Sequence, residues 1–293
     1  MQVSLVACRR IHGQIFRKSL VTSENLSYVS RRNMAGCSEA KTLERNGKRT
    51  IAFRKTEGGS PGVVFCSGYW STMMGEKATM LEEFCRKKKL AYVRFDYQCC
   101  GASPGDPREA TLSHWKEDVL DVLDLLTQGP QIIVGSSMGG WLGLIAAMER
   151  PERVQAFIGI AASPDFPDRK FQQMPKQVQE KIMTTGEVDY PSSYGQFIMT
   201  RDFLLDSRQH NILHFPTIPV HRPIRLLHGV KDDAVPYMLS LSLMQKLESN
   251  DIDVILRKDG DHRLSREEDL QLLLNAVDEM VKKVQGGSVL SSL

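Results

Sequence analysis

A chain of 293 residues that is 41% hydrophobic and 25% charged has ordinary globular composition, with length for one large α/β domain or two small ones. That excludes disorder, collagen and coiled coil as the main state, and no apolar run approaches the roughly 18–20 residues that span a bilayer. The formal charge of +3 is uneven: residues 1–34 carry six basic residues against the single acid Glu24, so the remainder is slightly acidic and a poor partner for nucleic acid.

Residues 1–40 are rich in Arg and Ser, almost free of acids, and lack the roughly 7–15-residue apolar stretch of a secretory signal. This is the pattern of a mitochondrial transit peptide, and a matrix location is the expectation. A basic tail without a targeting role is the plainer alternative, and initiation at Met34 would leave the product cytosolic. The six cysteines (Cys8, Cys37, Cys66, Cys85, Cys99 and Cys100) show no C-x-x-C pairing, which fits a reduced compartment.

From there, two periodicities alternate along the chain. Short β-branched runs at Thr50–Phe53, Val63–Cys66, Ala91–Phe95, Gln131–Val134, Ala156–Ile160, Ile224–Leu227 and Val254–Leu256 predict strands. Between them, Glu76–Lys88, Leu112–Leu126, Met138–Glu149, Pro236–Leu247 and Ser265–Val284 predict helices. Near-continuous apolar strands separated by helices predict a mostly parallel sheet covered on both faces, occupying residues 48–285. Residues 163–215 break the rhythm with two amphipathic patches, at about 171–184 and 195–209, and no strong strand. An insertion there would be a small helical lid at the carboxyl edge of the strands, or an ordinary helix with long loops. Gln285–Ser288 reads as a frayed tail.

G-x-S-x-G occurs three times, centred on Ser60, Ser103 and Ser137. A nucleophile elbow needs a buried strand before the serine and a helix after it. Ser60 precedes a strand, and Ser103 is followed by Pro104 and Gly105, so both read as turn serines. Ser137 follows Gln131–Val134 and opens the helix at Met138. It is the candidate nucleophile.

A serine hydroxyl needs a base, and the base needs an orienting carboxylate. His12 and His114 precede Ser137. His210 and His214 lie in the insertion without the Glu of a zinc-protease motif, His221 sits in a Pro-flanked connection and His228 ends a strand. His262 follows the last strand in a turn rich in Asp and Gly, and is the candidate base. Of the adjacent acids Asp232 and Asp233, Asp232 stands three residues before Val235-Pro236 and is preferred; Asp259 and Asp261 read as turn residues. Candidate oxyanion donors are the backbone N–H groups of Met138, which follows the nucleophile, and of Tyr69, beside Gly68 in the loop after Val63–Cys66. Met73, Met74, Met138, Met174, Met183 and Met199 could border an acyl-chain cleft, although methionine is more often plain core. The sequence carries no metal-ligand cluster, P-loop or dinucleotide fingerprint, so no cofactor is expected.

These residues resemble the serine α/β-hydrolase superfamily: the elbow around Ser137, the segment His228-Gly229 with Asp232 and Val235-Pro236, His262, and Arg94-Phe95-Asp96-Tyr97 followed by Gly101-Ala102-Ser103. The stretches Gly135–Leu142, Arg225–Asp233 and Asp253–Lys258 with Asp261–Arg263 closely resemble a mitochondrial branch that acts as palmitoyl-protein thioesterases and acyl-glucuronide esterases. The resemblance implies an α/β-hydrolase fold, a triad of Ser137, Asp232 and His262, and an S-acylated protein or small acyl ester as substrate, with a monomer as the default. A general carboxylesterase or a cofactor-free lyase or haloperoxidase would use the same triad. One departure is Cys99, beside Cys100, where the family usually has glycine; that loop is expected to border the site and tune entry.

Overall fold

The computed structural model describes residues 40–45, 49–192 and 195–290. The expected transit segment lies outside them, as do Cys8 and Cys37. The chain runs β1 (Lys41–Arg45), β2 (Arg49–Thr56), β3 (Gly59–Cys66), α1 (Glu76–Lys88), β4 (Leu90–Phe95), α2 (Leu112–Asp121), β5 (Gln131–Ser136), α3 (Met138–Glu149) and β6 (Val154–Ile160). An insertion follows with α4 (Phe166–Gln173), α5 (Lys176–Thr185), β7 (Glu187–Ser192), β8 (Gly195–Thr200) and α6 (Arg201–Ser207). The chain ends with β9 (Ile224–Gly229), α7 (Met238–Lys246), β10 (Ile252–Arg257) and α8 (Glu267–Leu290).

Eight strands form one sheet in the order β1-β2-β4-β3-β5-β6-β9-β10. From β4 to β10 every pairing is parallel, and β1 and β2 join antiparallel at one edge. The central strands are apolar on both faces because both are covered. Ile133 faces a cluster with Trp115 on α2, Trp141 and Leu144 on α3, and Leu243 on α7. Ile132 and Val134 face Leu81 on α1 and Val277 and Met280 on α8. Each fully buried aliphatic side chain contributes about 1.5–3 kcal/mol of transfer free energy, so the middle of the sheet anchors the molecule.

Three strands lie outside the predicted pattern. β1, with the sequence Lys-Thr-Leu-Glu-Arg, has one apolar residue, Leu43, and gains its structure from pairing with β2. β7 and β8 form a separate antiparallel hairpin inside the insertion; β7 carries Pro191 and β8 is a short run. Pro175, which has no N–H and cannot continue a helix, separates α4 from α5 within the first amphipathic patch. The second patch divides at Thr200, whose Oγ1 accepts from the Phe203 N–H (3.0 Å) and caps α6. The tail does not fray after Val284: α8 continues to Leu290, and the Gln285 side-chain amide donates to the Ser60 carbonyl (3.1 Å).

Candidate active site

Ser137 stands one residue beyond β5, at the turn into α3. Its backbone is left-handed, with φ 54° and ψ −118°. For a residue with a Cβ that conformation costs on the order of 1–3 kcal/mol and needs outside support. The Ser137 N–H donates to the Ile160 carbonyl (2.8 Å), and its carbonyl accepts from the N–H groups of Gly140 (3.0 Å) and Ser163 (3.0 Å). The turn also requires Gly139: a Cβ there would overlap the carbonyls of Cys66 and Ser67 on the neighbouring strand. Small residues at this elbow are therefore dictated by backbone crowding.

Asp232 and His262 come from loops far apart in the chain that the sheet places side by side. β9 and β10 are parallel, with Leu256 opposite His228 and Arg257 opposite Gly229, so both following loops leave the same edge. They are laced together by Val230 N–H to Arg257 carbonyl (2.8 Å) and Lys231 N–H to Gly260 carbonyl (2.9 Å). Gly229 permits this, because a side chain there would collide with the Gly260 carbonyl.

The Asp232 carboxylate is fully buried. Its Oδ1 accepts from the N–H groups of Ala234 (2.9 Å) and Val235 (2.7 Å), and its Oδ2 lies 2.7 Å from His262 Nδ1 and 3.1 Å from His228 Nε2. Burial pushes the carboxyl up, but the hydrogen bonds from His228 and His262, the nearby His262 charge and the Val235 N–H outweigh it and hold it well below the usual carboxylate range. Because a carboxylate only accepts, His262 Nδ1 carries its proton and leaves the Nε2 lone pair for another partner. His228 Nε2 faces both the carboxylate and the Val235 carbonyl (3.0 Å), so it too is protonated, and its Nδ1 accepts from the Ser240 hydroxyl (2.7 Å). The brace formed by His228 and Ser240 was not read from the sequence. Its one signal is His228 standing four residues before Asp232.

A cleft of about 440 Å³ opens between the sheet edge and the insertion, and Ser137, His262, Tyr69, Phe166 and Val235 all line it. The loop after β3 passes against Ser137: a Cβ on Gly68 would lie 3.4 Å from the Ser137 Cβ. Arg94-Phe95-Asp96-Tyr97 braces that loop. Asp96 Oδ1 accepts from Met73 N–H (2.6 Å), the buried Arg94 guanidinium donates to the Met73 carbonyl and pairs with Glu82 (2.6 Å), and the Tyr97 hydroxyl donates to the Ser67 carbonyl (3.3 Å). The Tyr69 ring packs on Trp70 (5.4 Å), Phe166 (5.1 Å) and Phe203 (5.3 Å), and its hydroxyl donates to the Ile198 carbonyl on β8. The loop that carries one candidate oxyanion donor is thus clamped to the insertion. Met138, the other, is the first residue of α3, where a backbone N–H has no partner inside the helix.

The remaining candidates fall elsewhere. The Ser103 hydroxyl is buried, accepting from Ala52 N–H (2.8 Å) and donating to the Asp96 carbonyl (2.6 Å), so it ties β2 to the loop after β4. His210 Nε2 meets the Ser113 hydroxyl (2.7 Å), which donates to Asp206 (2.7 Å) and joins α6 to α2. One weaker reading fails and one expectation is corrected. None of the six singled-out methionines lines the cleft; Met138 and Met199 are fully buried, and aromatic rings occupy the walls instead. Cys99 and Cys100 do not border the site either. Both are buried with Trp115 in the core, and Cys99 holds the left-handed backbone (φ 65°) that glycine would supply. Burial pushes the Cys66 and Cys85 thiols up to about 12, which leaves them poor nucleophiles. Among the described residues no group of three or more His, Cys, Asp or Glu is arranged to hold a metal, and no helix is long and apolar enough to cross a membrane.

Known proteins share this fold. The model of the α/β-hydrolase fold family matches residues 63–197. Human "Palmitoyl-protein thioesterase ABHD10, mitochondrial" is 44% identical over 245 residues, covering 83% of this chain and 80% of that protein. The solved structure of mouse α/β-hydrolase domain-containing protein 10 superposes with a TM-score of 0.80 at 42% identity, covering 84% of this chain and all of the other. Est1E from Butyrivibrio proteoclasticus with bound ferulic acid superposes with a TM-score of 0.71 at 18% identity, covering 83% of this chain and 98% of the other, a likeness of fold alone.

Proposed function

The chain belongs to the α/β-hydrolase family and is a serine hydrolase; from that premise we propose that it cleaves long-chain acyl thioesters of proteins, and acyl glucuronides, through an acyl-enzyme on Ser137. The observation that carries the reading is a strained serine facing the same cleft as a histidine whose Nδ1 is held by a buried carboxylate.

In this mechanism His262 Nε2 takes the Ser137 proton as the hydroxyl attacks the acyl carbonyl. Charge develops on the carbonyl oxygen and is met by the N–H groups of Met138 and Tyr69. His262 then gives its proton to the departing thiol or alcohol. Water enters, His262 takes a proton from it, and the fatty acid leaves as Ser137 is restored. Asp232 holds the imidazole in the needed tautomer throughout and stabilises the transient imidazolium. Residues 163–215 serve as the lid, with Phe166 from α4 on the cleft wall. The relative's printed name supports the palmitoyl thioester and a mitochondrial site of action, and the Arg-rich residues 1–40 support import into the matrix.

The experiment is a competition between a palmitoylated cysteine peptide and an acyl glucuronide, read as kcat/KM. Turnover of both, each above that of a short-chain p-nitrophenyl ester, is expected. Turnover of the p-nitrophenyl ester alone would reduce the protein to a general carboxylesterase.

A further inference from the structure

The cleft contains a cation that the catalytic steps leave unused. Helix α4 turns Phe166 and Lys170, one turn apart, toward the same space, and both line the cleft with Ser137 and His262. The neighbouring cations are engaged. Arg169 donates to Ser163 Oγ (2.7 Å) and to the Pro164 carbonyl (2.8 Å), and Lys77 donates to the Arg263 carbonyl and to Ser265 Oγ (3.3 Å). Lys170 is half-buried, and among the described residues its ammonium group makes no hydrogen bond or ion pair. Burial and the charge of Arg169 push its pKa down, while Asp233 and Asp232 push it up. A half-desolvated ammonium with three unused donors favours an anion over a neutral group.

Position indicates which part of the substrate that anion belongs to. Lys170 lines the same cleft as Ser137 and His262. His262 Nδ1 is committed to Asp232, so Nε2 returns the proton and the leaving atom must come within about 3 Å of it. A leaving group delivered to His262 Nε2 therefore lies in the cleft that Lys170 lines, while Tyr69, Trp70 and Phe166 offer the acyl chain an aromatic wall. The charged side chains lining the cleft are mostly positive: Lys77, Lys170 and Arg263 against Glu76.

We propose that Lys170 is a specificity residue whose ammonium group binds a carboxylate on the leaving group, so that the enzyme favours acyl esters and thioesters with anionic leaving groups. The proposal rests on the acyl-hydrolase reading above and assigns a residue and a charge requirement to it. The carboxylate can come from a sugar acid or from a peptide; the chemistry is shared.

The test uses the full chain as wild type, Lys170→Met and Lys170→Arg, with two octanoyl substrate pairs matched except for charge. One pair is octanoyl glucuronide and its methyl ester; the other is S-octanoyl glutathione and its dimethyl ester. The readout is the ratio of kcat/KM, anionic over neutral, within each pair. Wild type is expected to prefer the anion by about tenfold or more, the size of a well-made charge pair. Lys170→Met is expected to bring that ratio toward one, and Lys170→Arg to retain most of it. Collapse in the glucuronide pair alone assigns the sugar acid, in the glutathione pair alone the peptide, and in both the charge itself; each supports the proposal. An unchanged ratio in Lys170→Met, in an enzyme that turns over all four substrates, overturns it and leaves the hydrolase reading intact. Absence of turnover of every substrate by wild type overturns that reading instead, and the assignment of Lys170 with it.

Discussion

Replacing Ser137 by Ala is expected to lower turnover of acyl thioesters and esters by about 10⁵- to 10⁶-fold, the cost of removing the nucleophile from a triad that acts as a unit. The fold should survive. What holds the elbow is backbone: the N–H to Ile160 and the carbonyl to Gly140 and Ser163 need no hydroxyl, and Ala meets the same left-handed conformation that Ser already tolerates. A melting temperature within a few degrees of wild type, with thiol release at the background rate, is the expected pair of readings. Ser60→Ala is the matched control, since that serine opens β3 on the far side of the strand from the catalytic loops, and it should retain turnover. Turnover within tenfold of wild type in Ser137→Ala would remove the serine from the mechanism.

The second large effect is expected from Asp232→Asn, a loss in kcat of about 10⁴-fold. The carboxylate accepts from two imidazole N–H groups on one oxygen and two backbone N–H groups on the other. An amide has one accepting atom, so its NH₂ must oppose donors on one side, and His262 is driven toward the tautomer that cannot take the Ser137 proton. The same substitution should change acid stability. The native carboxyl lies below its ordinary value, so the stability it contributes is fully present above the unfolded value of about 3.9 and is lost as pH falls from there toward the depressed native value. Wild type should therefore lose stability more steeply below about pH 4 than Asp232→Asn, measured by urea unfolding across pH. Equal steepness in the two proteins would contradict the buried, doubly paired carboxylate.

The parallel sheet and the loops carrying Ser137, Asp232 and His262 were legible in the sequence because these features have strong local signatures. Apolar runs such as Gln131–Val134 sit between turn residues, and only Ser137 of the three G-x-S-x-G serines has a strand before it and a helix after it. What escaped depends on contacts across the chain. β1 has one apolar residue and exists by pairing with β2, and β8 lies in a patch whose pattern resembles amphipathic helix, with β7 in the gap before it. The His228–Ser240 brace joins a strand to a helix through two side chains that each read as ordinary. A cleft role for the methionines was the weaker of two readings; packing buried Met73, Met138, Met174 and Met199, left Met74 and Met183 exposed, and gave the walls to Tyr69, Trp70 and Phe166. Cys99 differs from the family pattern yet affects core packing and not the site, since its side chain turns inward against Gly105.

The most direct test is to map where a fluorophosphonate reacts. Trypsin, which does not cut the Arg150–Pro151 bond, would release Glu117–Arg153, in which Ser136 and Ser137 are the two serines, and fragmentation separates them. The account predicts one adduct, on Ser137, with labelling slowed at least a hundredfold in His262→Ala, as expected when a general base is removed. An adduct on any other residue, or labelling of Ser137 at an unchanged rate without His262, would contradict it.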